Sequence, residues 1–192
     1  MGRNKAALDP YGTGSMLAIA AGALRAAGAI EVVSVGGDTE LGPSVGARHL
    51  PDRHPDQGPL GGIITALEWS GDDLVAILAC DMPFVDAEIV RSLVRAAAEA
   101  TDCGVALICV DDRPQPLTAV WRPRALGVLQ EAFAAGERAP RRMLDRVGHR
   151  CVTPDDPAKV VDIDSPADIE RYAPTGRRPP SDRTEAQERS HG

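Results

Sequence analysis

The sequence predicts an α/β fold in which a mostly parallel β-sheet is flanked by helices. Near-continuous apolar runs, as in residues 72–83 and 103–110, are typical of parallel strands that are buried on both faces. These runs alternate with stretches whose apolar residues recur at helical spacing, as in residues 86–100. Such alternation of strand and helix is the mark of the α/β class. Aromatic residues make up only 3% of the chain, so we expect an aliphatic core.

Local signals define the elements in the first half of the chain. Ser15 can cap an Ala- and Leu-rich helix over residues 15–29. A short β-branched run that ends in glycines predicts a strand over residues 31–38. A Gly/Pro turn then opens a helix over residues 58–71, and the apolar run over residues 72–83 is the next strand.

The second half continues the alternation and ends in a polar segment. The predicted elements are a helix capped by Asp86 and reaching residue 100, strands at 103–110, 117–123 and near 159–163, and helices at 124–135, around 141–147 and at 166–172. Residues 174–192 are rich in Pro and charge and lack an apolar face, which predicts a disordered tail. We therefore expect one domain over residues 1–173, followed by this tail.

Composition excludes several classes of protein. The formal charge of -7 disfavours a nucleic-acid partner. The four cysteines show neither metal-binding nor redox spacing, so we expect buried free thiols. No apolar run reaches the roughly 18 residues that a membrane span needs. The first residues also lack the layout of a signal peptide, and together these features predict a cytoplasmic protein without a membrane partner.

One carboxylate stands at the end of the most apolar strand. In LVAILACDMP the run ends at Asp81, which places this side chain at the carboxyl end of a predicted parallel strand, where open α/β sheets bind ligands. Asp81 could instead cap the following helix, but Asp86 is better spaced for that cap. A hard carboxylate at this place suits Mg²⁺, which takes one or two protein carboxylates together with substrate phosphates.

A second stretch, DRHPDQGPLGGI, is a turn-rich loop that opens a helix. Asp52 stands at its head, and its glycines permit close approach of the backbone to a ligand. A helix N-terminus favours an anion or a polar ring edge. An ordinary loop with a glycine-rich start is the alternative, and His54 is expected to be a solvated loop residue.

These two stretches, with MGRNK at the start and AAGERAPRRMLD later, resemble the molybdenum cofactor guanylyltransferases within the wider nucleotidyltransferase family. The resemblance covers residues 1 to about 173. It implies a Rossmann-like sheet of the nucleotide-diphospho-sugar transferase type. It also implies Mg²⁺-dependent transfer of GMP from GTP to the phosphate of molybdopterin, with release of pyrophosphate. Molybdoenzymes or their chaperones are the implied protein partners.

The resemblance carries specific roles onto matching residues. The implied nucleotide-binding residues are Gly2, Arg3, Lys5, Asp52, Gly58, Pro59 and Asp81. Lys5 would neutralise charge on the phosphates, and Asp52 would accept from the N–H groups of guanine. Asp81 would bind Mg²⁺, shared with Asp164. Arg138, Arg141 and Arg142 would meet the phosphate of the pterin, or else form a solvated basic helix face.

Two features of the chain depart from the guanylyltransferase pattern. The family usually carries an Asn after its second strand, where this chain has Gly36 and Gly37. It also carries Asn-x-Asn before its last helix, whereas this chain has Asp162, Ile163 and Asp164, which is closer to the cytidylyltransferases of the same cofactor. Those relatives, however, usually show Gly-Asp-Gln-Pro where this chain has Cys-Asp-Met-Pro, and they lack the Gly-Pro-Leu loop. We therefore expect a guanylyltransferase, with a cytidylyltransferase or another nucleotidyltransferase as the alternative.

The start of the chain matches only the end of the family's first motif. The family opens with a strand that leads into Leu-Ala-Gly-Gly, then Arg-Met-Gly and a Lys, and MGRNK resembles the last part of this signature. We therefore expect the first strand and the first half of the glycine-rich loop to lie before Met1. An inactive, truncated relic is the alternative from a different functional class.

Overall fold

The computed structural model describes residues 5–71 and 73–173, and within these ranges it confirms the α/β class. The described strands are β1 (Val33–Val35), β2 (Arg48–Leu50), β3 (Val75–Leu78), β4 (Val105–Val110), β5 (Arg113–Trp121) and β6 (His149–Val152). The described α-helices are α1 (Met16–Ala26), α2 (Leu41–Ser44), α3 (Pro59–Ser70), α4 (Ala87–Glu99), α5 (Leu126–Ala134), α6 (Leu144–Val147) and α7 (Pro166–Arg171). The proposed tail, residues 174–192, lies outside the described residues.

The strands form two sheets. One contains β1 and β2, which are parallel, and the other has the order β3-β5-β4-β6. In the larger sheet β4 and β6 are parallel, while β5 runs antiparallel to both β3 and β4. Three of its four strands therefore point the same way, which confirms the mostly parallel sheet. No strand among the described residues joins β1 to β3.

Helices cover both faces of the larger sheet, as the apolar runs predict. Along β4, Val105 and Leu107 belong to a buried cluster with side chains of α3 and α5. Ala106 and Ile108 belong to a second cluster, with side chains of α1 and α4. Successive side chains of a strand point to opposite faces, so a strand buried on both sides needs the continuous apolar run that the sequence shows.

Two predicted elements differ from the structure. The strand predicted near residues 159–163 is replaced by a 3-10 turn, Pro157–Val160, because Asp156 caps this turn and the N–H of Ile163 donates to Asp81 O at 2.9 Å rather than to a strand. The basic helix predicted around residues 141–147 begins as a 3-10 turn, Pro140–Met143. The sequence analysis also missed the short elements α2, β2 and β6.

The cysteine prediction is wrong for one pair. Cys109 and Cys151 form a disulfide, with their Cα atoms 5.5 Å apart. The pair is possible because β4 and β6 are neighbouring parallel strands, which brings together two residues separated by 42 positions in the chain. Cys80 and Cys103 are free, as expected. None of the described helices is long and apolar enough to cross a membrane.

Asp86 caps α4 as the sequence predicts, and it also pairs with a lysine. Its carboxylate accepts from the backbone N–H groups of Glu88 and Ile89 and lies 2.5 Å from Lys159 Nζ. Burial pushes the pKa of Asp86 up, but Lys159 and the two N–H groups outweigh it and hold the pKa below its ordinary value of 3.8. The stabilisation is therefore present above pH 3.8 and is lost as the pH falls through the lower pKa of the folded state.

We expect Asp86→Ala to lower the free energy of unfolding at pH 7 by about 1 kcal/mol, the usual cost of losing a helix cap. Chemical denaturation checks this value, and the difference from wild type should shrink below pH 3.8 as the wild-type carboxylate becomes protonated. Asp86→Ser is the matched control, because serine retains a capping oxygen but loses the charge that faces Lys159. A full loss in the serine variant would show that the ion pair, not the cap, stabilises α4.

Candidate functional site

Asp81 lies where the sequence places it, just beyond the carboxyl end of β3. The strand ends at Leu78, and the N–H of Ala79 still donates to Leu117 O of β5 at 2.7 Å, so the backbone leaves the sheet at the next residues. Asp81 is half-buried in the turn that follows. Its carbonyl accepts from Ile163 N–H at 2.9 Å. This bond brings the acidic segment 162–164 to Asp81, although about 80 residues separate the two in the chain.

The charged groups around Asp81 shift its pKa. Burial is the main cause that raises the pKa of the Asp81 carboxyl above its ordinary value. Its own backbone N–H and the charge of Lys5 act in the opposite direction, while the negative charges of Asp162 and Asp164 raise the pKa further. Asp81 is thus costly to ionise unless a positive charge lies close by. The site is suited to a cation.

Lys5 belongs to the same cluster. Its Nζ lies 2.5 Å from Asp164 Oδ1, and about a third of the lysine side chain is exposed. The hydrogen bond with Asp164 is the main cause that raises the pKa of Lys5, and Asp81 and Asp162 add to the effect. The structure therefore brings together the charges of Lys5, Asp81 and Asp164. Gly2 and Arg3, which were also predicted to bind the nucleotide, lie outside the described residues.

The described side chains can supply only part of the ligand shell of a Mg²⁺ ion. Asp81 and Asp164 offer hard carboxylate oxygens, which Mg²⁺ prefers. Within residues 5–71 and 73–173, no group of three or more His, Cys, Asp and Glu side chains is placed to hold a metal ion. Mg²⁺ commonly takes one or two carboxylates and completes its shell with phosphate oxygens and water. The residues therefore fit an ion that arrives with a phosphorylated substrate.

Asp52 follows β2, and only one of its two carboxylate oxygens carries hydrogen bonds within the described residues. Its Oδ1 accepts from His54 N–H at 2.9 Å and from the hydroxyl of Thr65 on α3 at 3.0 Å. The described residues give Oδ2 no hydrogen-bond donor, and the side chain is half-buried. One oxygen of Asp52 thus holds the side chain in place, and the other is available to accept from a ligand.

The glycines after β1 explain one departure from the guanylyltransferase pattern. Gly36 has a φ of 67°, and its N–H donates to Leu50 O at 2.9 Å. A Cβ atom on Gly36 would lie 3.2 Å from the Cβ of Asp52. The left-handed backbone and the close approach both favour glycine here. Gly36 therefore lets the end of β1 pass directly beside Asp52.

The glycine-rich start of α3 has no side-chain cap, and only Gly62 in it faces open space. Gly58 is the N-cap residue with a φ of 84°, Pro59 is the first helical residue, and no side chain caps the helix. Leu60 is fully buried and fixes this turn to the core. Nothing lies within 4 Å of the point where a Cβ of Gly62 would stand. Uncapped N–H groups at the start of a helix of this length favour an anion or another acceptor.

The predicted acceptor-binding arginines all have partners within the chain. Arg138 Nη1 donates to Phe133 O at 2.7 Å, and its Cζ lies 3.9 Å from the centre of the Phe133 ring. Arg141 donates to Pro114 O at 2.8 Å, and Arg142 lies 3.5 Å from Glu137. A phosphate would have to displace these contacts, which weakens the expectation that the three arginines bind one.

His54 is not the solvated residue that the sequence suggests. Its ring packs on Phe133 with centroids 4.5 Å apart, and the residue is half-buried. Sequence reasoning missed this contact because 79 positions separate the two residues. Asp162 was likewise left out of the predicted site, although it stands next to Ile163, whose N–H bonds to Asp81.

Comparison with known proteins identifies relatives of this chain. The family model described as MobA-like NTP transferase domain matches residues 1–151. A molybdenum cofactor guanylyltransferase from Pseudomonas putida is 39% identical over 89 residues, which is 46% of each chain. The chain spans about half the length of the curated relatives that it matches first.

Solved structures show the same fold. Molybdopterin-guanine dinucleotide biosynthesis protein A from Archaeoglobus fulgidus superposes with a TM-score of 0.71 at 22% identity, over 89% of both chains. The 2-C-methyl-D-erythritol 4-phosphate cytidylyltransferase from Thermus thermophilus gives a TM-score of 0.66 at 19% identity, over 88% of this chain and 91% of that one. At these identities the two structures establish the fold and not the substrate.

Proposed function

Because this chain belongs to the MobA-like NTP transferase domain family, we propose that it transfers GMP from GTP to the phosphate of molybdopterin and releases pyrophosphate. The observation that carries this proposal is the cluster of Lys5, Asp81 and Asp164 beside the carboxyl end of β3. The guanylyltransferase from Pseudomonas putida, at 39% identity, supports the choice of reaction.

The reaction asks for positioning and charge neutralisation rather than a protein nucleophile. An oxygen of the acceptor phosphate attacks the α-phosphorus of GTP in line, a new P–O bond forms, and the bond to pyrophosphate breaks. In this proposal Lys5 would place its positive charge beside the departing pyrophosphate, and the uncapped N-terminus of α3 would offer N–H donors to the nucleotide. Bound to Asp81 and Asp164, Mg²⁺ would neutralise charge on the phosphate oxygens.

Asp52 is the proposed reader of the base. Guanine offers a ring N–H and an exocyclic amino group side by side, and Oδ2 of Asp52 can accept from them while Oδ1 stays bonded to His54 and Thr65. The corresponding edge of cytosine has a single amino donor beside a ring nitrogen and a carbonyl, which are acceptors, so a carboxylate can accept two adjacent N–H bonds from guanine but only one from cytosine. A carboxylate therefore favours guanine over cytosine at this place.

The second candidate is a cytidylyltransferase of the same cofactor. The acidic segment Asp162–Asp164 beside Asp81 favours it, because the resemblance links Asp-x-Asp at this position to that class. The available carboxylate of Asp52 argues against it, since cytosine offers a carboxylate one amino donor where guanine offers two adjacent N–H donors. We therefore rank the guanylyltransferase first.

A reconstituted reaction tests the proposed class of activity. With molybdopterin, GTP and Mg²⁺, we expect the chain to release pyrophosphate and to form a product that carries GMP. Omitting molybdopterin or adding a chelator should stop both. The readouts are a coupled pyrophosphate assay and the mass of the product. Pyrophosphate release that does not depend on the acceptor would indicate hydrolysis of the nucleotide and would contradict the proposal.

A further inference from the structure

We infer that Arg138 is a positioning residue for the base-recognition loop, which we define as residues 52–58. Arg138 would set the preference for the base by holding this loop through Phe133, His54 and Gln57, rather than by binding a phosphate of the acceptor. This inference rests on the proposed role of Asp52 as the reader of the base. Its structural half, that Arg138 holds the loop, can be tested without any nucleotide.

Arg138 joins the end of α5 to the far end of the loop. Its Nη1 donates to the carbonyls of Phe133 and Glu137 at 2.7 and 2.8 Å, and its Nη2 donates to Gln57 Oε1 at 3.0 Å. A Cβ atom on Gly58 would lie 3.5 Å from both the Cβ and the carbonyl oxygen of Arg138. The guanidinium thus fixes the last residues of the loop to a helix that packs against the core.

Phe133 connects Arg138 to His54, near the start of the loop. The guanidinium carbon of Arg138 lies 3.9 Å from the centre of the Phe133 ring, and the ring of His54 packs on Phe133 at 4.5 Å. Phe133 is buried, so its position is fixed by the core. A cation over an aromatic face is attracted by the ring. Phe133 therefore contacts both Arg138 and His54, and these contacts connect the end of α5 to the loop.

His54 passes this constraint to Asp52. The backbone N–H of His54 donates to Asp52 Oδ1, one of the two bonds that orient the carboxylate. The other comes from Thr65, which is almost fully buried on α3. Thr65 can hold the carboxylate only if the backbone of the loop stays in place. A shift of His54 would rotate Oδ2 away from the donors of the base.

Arg138 and its neighbour Arg141 differ in what their side chains contact. Both were expected from the sequence to meet a phosphate, but the side-chain bonds of Arg141 go to Pro114 O on β5, and it is exposed. Arg141→Met is therefore a matched control, because it removes the same charge three residues after Arg138 in the chain. A purely electrostatic effect of the arginines would appear in both variants.

The experiment uses the full chain and three variants: Arg138→Met, Gln57→Ala and Arg141→Met. Hydrogen exchange of the backbone amides in residues 53–57 is measured without nucleotide, and binding of Mg-GTP and Mg-CTP is measured without the acceptor. Thermal melts confirm that each variant is folded. Gln57→Ala removes only the partner of Arg138 Nη2 and covers the case in which Arg138→Met does not fold.

We expect Arg138→Met to speed exchange in the loop and to lower the ratio of GTP to CTP affinity by about fivefold or more. Gln57→Ala should shift both quantities in the same direction by less, and Arg141→Met should shift neither. In the Asp52→Asn background, Arg138→Met should lower the ratio no further, because both substitutions act through the same carboxylate.

Three results would overturn the inference. They are loop exchange in Arg138→Met at the wild-type rate, an additive loss of base preference in the double variant, and a ratio of GTP to CTP affinity in Arg138→Met that equals the wild-type ratio. A wild-type chain without preference for GTP would instead contradict the proposed function. Loop exchange would still decide whether Arg138 holds the loop.

Discussion

Asp81→Asn should reduce Mg²⁺-dependent pyrophosphate release by roughly 100- to 1000-fold, the range expected when one key electrostatic contact to the transition state is lost. Asparagine has almost the same shape but no negative charge, so it would bind the metal and its phosphates poorly. Steady-state turnover with GTP and molybdopterin is the measurement. Asp162→Asn is the matched control, because Asp162 lies in the same acidic cluster, is exposed and is not a proposed ligand.

The loss in Asp81→Asn should not result from unfolding. Burial raises the pKa of the Asp81 carboxyl, so its contribution to stability is present below the ordinary value of 3.8 and is lost as the pH rises through the pKa of the folded state. At pH 7 the charged form is a cost, and we expect the asparagine variant to melt no lower than wild type. Near-normal turnover in a folded Asp81→Asn chain would remove Asp81 from the site.

Asp52→Asn should reduce the preference for GTP over CTP by roughly 10- to 100-fold, which corresponds to losing hydrogen bonds to a charged acceptor. The amide oxygen can keep the bonds from His54 and Thr65, but the amide NH₂ group then takes the place of Oδ2 and faces the donors of guanine. Turnover with each nucleotide, at saturating molybdopterin, gives the ratio.

Asp56→Asn is the control for this prediction. Asp56 lies in the same loop with a φ of 61°, a backbone conformation that asparagine also adopts readily. The control removes one negative charge from the loop without touching the proposed contact to the base. If Asp56→Asn changes the ratio as much as Asp52→Asn, the preference reflects the overall charge of the loop and not a specific bond.

The sequence predicts the fold well where apolar patterns are long. The strand β4 and the helix α4 follow from continuous burial and from helical spacing with a cap at Asp86. β6 was missed because His149–Val152 is short and mostly exposed, so it carries no apolar run. The β-branched residues near position 160 predicted a strand, but Pro157 and the capping Asp156 favour a 3-10 turn.

The order of the strands could not be predicted from local patterns. β5 inserts between β3 and β4 and runs against both, which depends on pairing between distant segments. No strand among the described residues pairs with both β1 and β3, so these two strands belong to separate sheets. The disulfide between Cys109 and Cys151 depends in the same way on which strands are neighbours.

Prediction of the candidate site was limited in the same way, because its contacts join residues that are distant in the chain. Asp81 could be found from the residues alone, because a single carboxylate ends an apolar strand. Its proximity to Lys5 and Asp164 came from the resemblance, since the contact spans 159 positions. The contacts of Phe133 with Arg138 and His54 were missed because each residue, taken alone, looks like an ordinary loop or helix residue.

One competition measurement tests the central claim most directly. Wild-type chain is given molybdopterin, Mg²⁺ and equal concentrations of GTP and CTP, and mass spectrometry identifies the nucleotide in the product. We predict that the guanine dinucleotide dominates, because Asp52 can accept from two adjacent N–H groups of guanine, whereas cytosine offers it one amino group. A product that carries mainly CMP would contradict the assignment and would identify the chain as a cytidylyltransferase.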